Sequence, residues 1–334
     1  MSASGGMGSE YFAAPGTRNE RGTMTIPLHH FTFHCRWTTE ARLPEYLGSA
    51  LRGAFGWALK KSSCALKNQD CGVCILRQRC AYAWIFETER YRDTAGRQVN
   101  ARPHPYVLQP GNNTSGQRQP CGEWSFELLL IGRSIDFLPH IVYSVQQMGE
   151  VGIGAATRNG LGRFVLEKID DGATFIFDDH SGRLHHPPTT VELGLAEPPE
   201  EPVHTLRCTL DTPLRLKQGD SLQKDLPFHV LIRAALRRIA ALETAYGQGE
   251  PALDYSGLVR RAEQVETTAS TIRWHETLRF SNRQQQKVSL SGLIGTTEYR
   301  GDLNEFVPLL EYAGRVNLGK QTVFGLGKMT MEWN

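Results

Sequence analysis

The chain has 334 residues, 40% of them hydrophobic and 22% charged, which fits a soluble globular protein of two domains and excludes a disordered one. Its purely apolar runs, such as 80–86 and 128–131, are far too short to cross a bilayer. The formal net charge of +2 is close to neutral, so a nucleic-acid partner has to show itself as local clustering, and 207–238 carries seven bases against three acids.

In chain order, residues 1–23 are rich in Gly, Ser and Ala, lack the apolar centre of a secretion signal and read as a flexible tail, with Met24 as a candidate start. A first domain over 24–195 follows. It opens with a strand over 28–37, in which alternation puts His29, Phe31, Phe33, Cys35 and Trp37 on one face. His30, Thr32, His34 and Arg36 lie on the other. A helix over 44–60, strands near Tyr106 and over 124–131, a helix over 135–148, a glycine loop and a strand over 164–169 complete the unit. The Pro- and Glu-rich stretch 196–202 reads as a linker.

The second domain, 203–334, repeats the order: a strand over 205–211, an amphipathic helix over 228–246, strands over 269–280 and 288–299, and a short helix over 302–312 with Asp302 in its first turn. A glycine loop and a last strand close it. The two loops align without a gap, IGAATRNGLGRFVLE at 153–167 against LGKQTVFGLGKMTME at 318–332. Strand, helix, strand, strand, helix, strand, twice, gives an α+β chain of two tandem ferredoxin-like domains, an arrangement many RNA binders use.

The loop glycines admit two readings: turns that need positive φ, or backbone approaching phosphates beside Arg158, Arg163, Lys320 and Lys328. They are no dinucleotide fingerprint, because each loop leads into a strand and not a helix. Arg233, Arg237 and Arg238 on one helix, with Arg279, Arg283, Gln284 and Lys287 around a strand end, form a further set for RNA contact.

Seven cysteines without a secretion signal point to a reducing compartment, and hence to the cytoplasm. Cys64, Cys71, Cys74 and Cys80 form C-x6-C-x2-C-x5-C inside an insertion of the first domain over 62–82, a pattern that suits a structural Zn²⁺, with an iron–sulfur cluster as the chemical alternative. Cys35, Cys121 and Cys208 read as ordinary buried thiols.

Several segments together resemble the CRISPR precursor-RNA-processing endoribonucleases of the RAMP superfamily. They are LRFSNRQQQKVSLSGLIG at 278–295, YRGDL at 299–303, NLGKQTVFGLGK at 317–328, LGSALRGAFGW at 47–57 and the cysteine cluster running into 80–87. The resemblance implies binding of CRISPR repeat RNA and the mature guide (crRNA), association with other CRISPR effector subunits, and no membrane partner. It also implies metal-independent cleavage, in which a 2′-hydroxyl attacks the adjacent phosphate to leave a 2′,3′-cyclic phosphate. Such chemistry asks for an acid, a base and cations. His34, His30, Tyr46 and Lys320 are the candidates, with Arg36 and Arg52 as further RNA contacts. Two departures keep an inactive guide-RNA-binding subunit open: Asn317 stands where many relatives carry histidine, and 44–61 contains no histidine. A metal-dependent nuclease or deaminase is disfavoured, as no paired-carboxylate cluster and no His-x-Glu with a Cys-x-x-Cys partner is present.

Overall fold

In the computed structural model, residues 25–66, 70–88, 102–111, 116–218, 221–281 and 286–334 are described. The tail 1–23, Met24, Arg283 and Gln284 lie outside them. Period-two patterning sets up the first sheet. In β1 (Ile26–Trp37), Phe31, Phe33, Cys35 and Trp37 are buried, His30 is exposed, and His34 and Arg36 are partly buried. The chain continues through α1 (Leu47–Ser63), β2 (Tyr106–Gln109), β3 (Glu123–Ile131), α2 (Leu138–Val151) and β4 (Phe164–Asp170). The strand order β2-β3-β1-β4, all antiparallel, is that of a ferredoxin-like sheet.

Both helices cover the apolar face, where Trp37 stacks on Trp124 with centroids 4.8 Å apart and meets Phe164 edge-on at 5.9 Å. His29 is buried on that side, as alternation requires, and burial pushes its imidazole pKa down. Short strands at Phe175–Asp178, Arg183–Leu184 and Val191–Leu193 extend the sheet beyond the four strands expected.

The second unit repeats the plan: β5 (Thr205–Leu214), α3 (Phe228–Tyr246), β6 (Glu266–Ser270), β7 (Gly292–Arg300), α4 (Val307–Arg315) and β8 (Met329–Trp333), in the order β6-β7-β5-β8. The strand expected over 269–280 is broken. Its parts Glu266–Ser270 and Arg273–His275 both pair with β7, because the Thr271 carbonyl closes on Gly295, where a Cβ would lie 2.5 Å from it. Leu278–Ser281 leaves the sheet altogether to form a hairpin with Gln286–Ser289, which carries Arg279 and Lys287. The last helix starts later than expected, after a 3-10 turn at Asn304–Phe306, so Asp302 precedes it. A helix at Tyr255–Ala262, capped by the Asp254 carboxylate accepting from the Gly257 N–H at 2.9 Å, was also missed.

The sequence repeat is a repeat of backbone geometry. Positive φ occurs at Gly152, Gly154, Ala156, Gly160 and Gly162, and again at Asn317, Gly319, Gln321, Gly325 and Gly327. The hydrogen bonds repeat as well: Ile153 N–H donates to the Gly162 carbonyl and Leu318 N–H to the Gly327 carbonyl, both at 2.9 Å. Ala155 and Lys320 N–H donate to the Arg42 and Arg215 carbonyls, again both at 2.9 Å. The glycines are thus explained by a loop that folds back on its own backbone.

Candidate nucleic-acid interface and catalytic face

The two loops share a shape and differ in surroundings. In the first copy, Arg158 and Arg163 are exposed. The second copy is buried from Thr322 to Gly327, pressed between the two units. The Tyr46 hydroxyl donates to the Phe324 carbonyl at 2.6 Å, and the Arg52 guanidinium lies over Phe86 at 4.8 Å and over Phe324 at 5.8 Å. Burial pushes the Tyr46 phenol well above its usual range, so it holds the loop as a neutral donor. Asn317 is buried in the left-handed conformation that asparagine tolerates. Its amide donates to the Leu326 carbonyl, and its side-chain oxygen accepts from Gln109, both at 3.1 Å. Asn317 is thus a fastening between the loop and the first sheet.

The start of the second loop reaches a cavity. There Gly319 and Lys320 join α3 and the end of β5 around a volume of about 480 Å³, lined by Arg215, Lys217, Arg233, Arg237, Arg238 and Lys320, with no carboxylate in the lining among the described residues. The helix supplies Arg233 and Arg237 one turn apart on the face opposite its buried Leu231, Ala235 and Leu242, the ordinary outcome of an amphipathic pattern, whereas Arg238 lies on the buried side. Arg238 donates to the Val316 carbonyl at 2.8 Å, and burial lowers its pKa to about 10, which still leaves it charged at neutral pH. Arg215 bonds the Ser291 carbonyl, and Arg237 reaches the Lys217 carbonyl at 3.5 Å. Arg215 and Lys217 were not assigned to the site from sequence; the charge density of 207–238 was the signal that pointed at them.

The open face of the first sheet carries the histidines. His34 Nε2 donates to Asp170 Oδ2 at 2.5 Å, His30 Nε2 to Glu127 Oε2 at 3.3 Å, and Arg36 Nε to Glu167 Oε1 at 2.6 Å. Lys328, at the end of the second loop, comes across to within 3.6 Å of the same Glu127. Every base expected here therefore has a carboxylate beside it, so this face is much less cationic than the cavity on the second unit. It suits proton transfer by an oriented imidazole better than the grip of a phosphate chain.

Glu127 makes this face sensitive to acid. The hydrogen bond from His30, opposed by partial burial and assisted by Lys328, holds its carboxyl below the usual 4.5. A depressed folded-state pKa stabilises fully above the unfolded value and loses that contribution as pH falls through the folded one. Glu127→Gln is therefore expected to flatten the decline of Tm with pH below about 4.5 while leaving the neutral-pH plateau within a few degrees, as thermal scans across pH would read.

Cys35 and Cys208 are buried thiols whose pKa burial raises, as expected. Cys121 is a correction: it is exposed, in a left-handed turn whose N–H donates to the Trp37 carbonyl at 2.7 Å. Cys64, Cys71, Cys74 and Cys80 line one small cavity. Among the described residues, no helix is long and apolar enough to cross a membrane.

Two ferredoxin-like sheets fastened by a glycine loop, with a basic cavity on the second, define a tandem RAMP-type fold. A family model for the CRISPR-associated endoribonuclease Cas6 matches residues 208–329, and another, described as an N-terminal domain, matches residues 26–189. The Cas6 model spans nearly all of the second domain, which is thus similar to the CRISPR RNA-processing endoribonucleases that the sequence resembled. An uncharacterized protein of Archaeoglobus fulgidus is 26% identical over 294 residues, 85% of this chain and 91% of its own. A solved Cas6 product complex is 14% identical with TM-score 0.55, covering 92% of this chain and 99% of its own. Thermus thermophilus Cas6 is 13% identical with TM-score 0.54, covering 93% and 100%. At these identities the solved structures speak to the fold.

Proposed function

We propose that the chain binds CRISPR repeat RNA and cuts it by attack of a ribose 2′-hydroxyl on the adjacent phosphate, leaving a 2′,3′-cyclic phosphate and needing no metal for the step. The observation that carries RNA binding is the cavity between α3 and the second loop, in which six Arg and Lys side chains converge. His34, oriented by Asp170, takes the 2′-hydroxyl proton, and His30, beside Glu127, is the second proton-transfer group. Lys320 and the cavity arginines offset charge on the RNA. The product crRNA stays bound, and other effector subunits gather on it.

A second reading, an inactive subunit that holds guide RNA, is favoured by Asn317 and Tyr46, both of which are committed to holding the second loop. Labelled repeat RNA in excess EDTA decides between the two. Cleavage to a 5′-hydroxyl fragment supports the endoribonuclease, tight binding without cleavage supports the holding subunit, and neither, from folded protein on its cognate repeat, overturns both.

The cavity has its own test. Arg233→Ala with Arg237→Ala is expected to weaken repeat-RNA binding about a hundredfold, at roughly 1.5 kcal/mol per charged contact. The same pair should shrink the slope of log affinity against log salt by about 1.4, or about 0.7 per phosphate. Arg261, already forked onto Glu305 at 2.6 and 2.7 Å, is the control whose loss should change neither.

A further inference from the structure

The segment between α1 and the short helix Ala81–Phe86 has no apolar interior. Among its described residues from 64 to 80 none is buried, and Val73 and Ile75 are 78% and 85% exposed. The least exposed positions are Cys64, Cys71, Cys74 and Cys80, together with Gly72 and Arg77. Aliphatic side chains turned outward around inward thiols are the reverse of what hydrophobic burial selects, so something other than apolar packing has to hold this segment.

The four thiols sit on two kinds of support. Cys64 ends α1, its N–H donating to the Lys60 carbonyl at 3.0 Å, and Cys80 begins the helix Ala81–Phe86. Both helices are anchored in the core through Leu59, Ala81 and Ile85. Cys71 and Cys74 flank a turn in which Asp70 accepts from the Val73 N–H at 3.1 Å through its carbonyl and from the Gly72 N–H at 2.9 Å through its carboxylate. All four line one cavity, with Arg77 beside them. Among the described residues no group of three or more donors already stands as an ion would hold it, so closure draws the turn toward the two helix ends.

We propose that Cys64, Cys71, Cys74 and Cys80 bind one Zn²⁺ as four thiolates, each thiol releasing its proton as it coordinates, with no change of oxidation state. The tetrathiolate carries two negative charges, which Arg77 partly offsets. With four protein ligands the ion has no open position, so it fastens the segment and takes no part in cleavage.

The test uses the full-length protein, purified without added metal and without RNA, so that its outcome is independent of the nuclease reading. Elemental analysis is expected to find one zinc per chain, retained in Cys121→Ser and lost in Cys71→Ser/Cys74→Ser. As that double variant can misfold, wild type stripped with chelator is also titrated with Co²⁺. Thiolate-to-cobalt charge-transfer absorption saturating at one equivalent is expected. Iron with acid-labile sulfide, disulfides among these cysteines in freshly isolated protein, or no bound metal and no cobalt spectrum would each overturn the proposal.

Discussion

Gly327→Ala is expected to cost about 4 kcal/mol or more and to leave the second domain unfolded near physiological temperature. Gly327 has a φ of 73° and its added Cβ would lie 1.8 Å from the Leu318 carbonyl oxygen, so the loop cannot close. Its twin Gly162, at 2.1 Å from the Ile153 carbonyl, should behave the same way in the first domain. Gly160 separates the clash from the conformation: its φ is 82°, yet a Cβ there meets nothing within 4 Å. Gly160→Ala should therefore cost only about 1–2 kcal/mol, the price of a left-handed alanine. Thermal or denaturant unfolding of the three variants reads the difference. Equal effects at Gly160 and Gly327 would mean that the fold-back contact does not hold the loop.

His34→Ala is expected to slow repeat cleavage about 10²–10⁴-fold, the usual contribution of a positioned acid or base, while RNA affinity changes less than about threefold. Asp170→Asn keeps the size of the partner and removes its charge, so a smaller loss of rate with a shifted pH profile is expected. Single-turnover kinetics across pH with filter binding alongside would check both. Unchanged cleavage by His34→Ala would move the assignment to His30 and leave the RNA-binding cavity untouched.

The double ferredoxin-like plan was legible because it is written in local signals: period two in β1, period 3.6 in α3, and a loop repeat that aligns residue for residue. The departures have physical causes beyond that range. The strand over 269–280 broke because of a close approach between Thr271 and Gly295, which are far apart in the chain. At the site, charge alone singled out the cavity arginines, and alternation alone put His30 and His34 on the open face. The carboxylates that pair with those histidines come from β3 and β4, so only the register of the sheet could reveal them. Tyr46 and Asn317 carry no sequence mark of their role, because Phe324, which holds Tyr46, and Gln109, which bonds Asn317, each belong to the other half of the chain.

The burial of the second loop has a practical corollary for dissecting the molecule. Val323, Phe324 and Leu326 are packed into the core cluster of the first half although they belong to the second. Severing the chain within 196–202 should thus yield fragments that are poorly behaved alone, one with an uncovered socket and the other with an uncovered plug, yet recombine when co-expressed. A split version of this protein, reassembled in trans through that plug, would report on the junction without touching either the histidine face or the basic cavity.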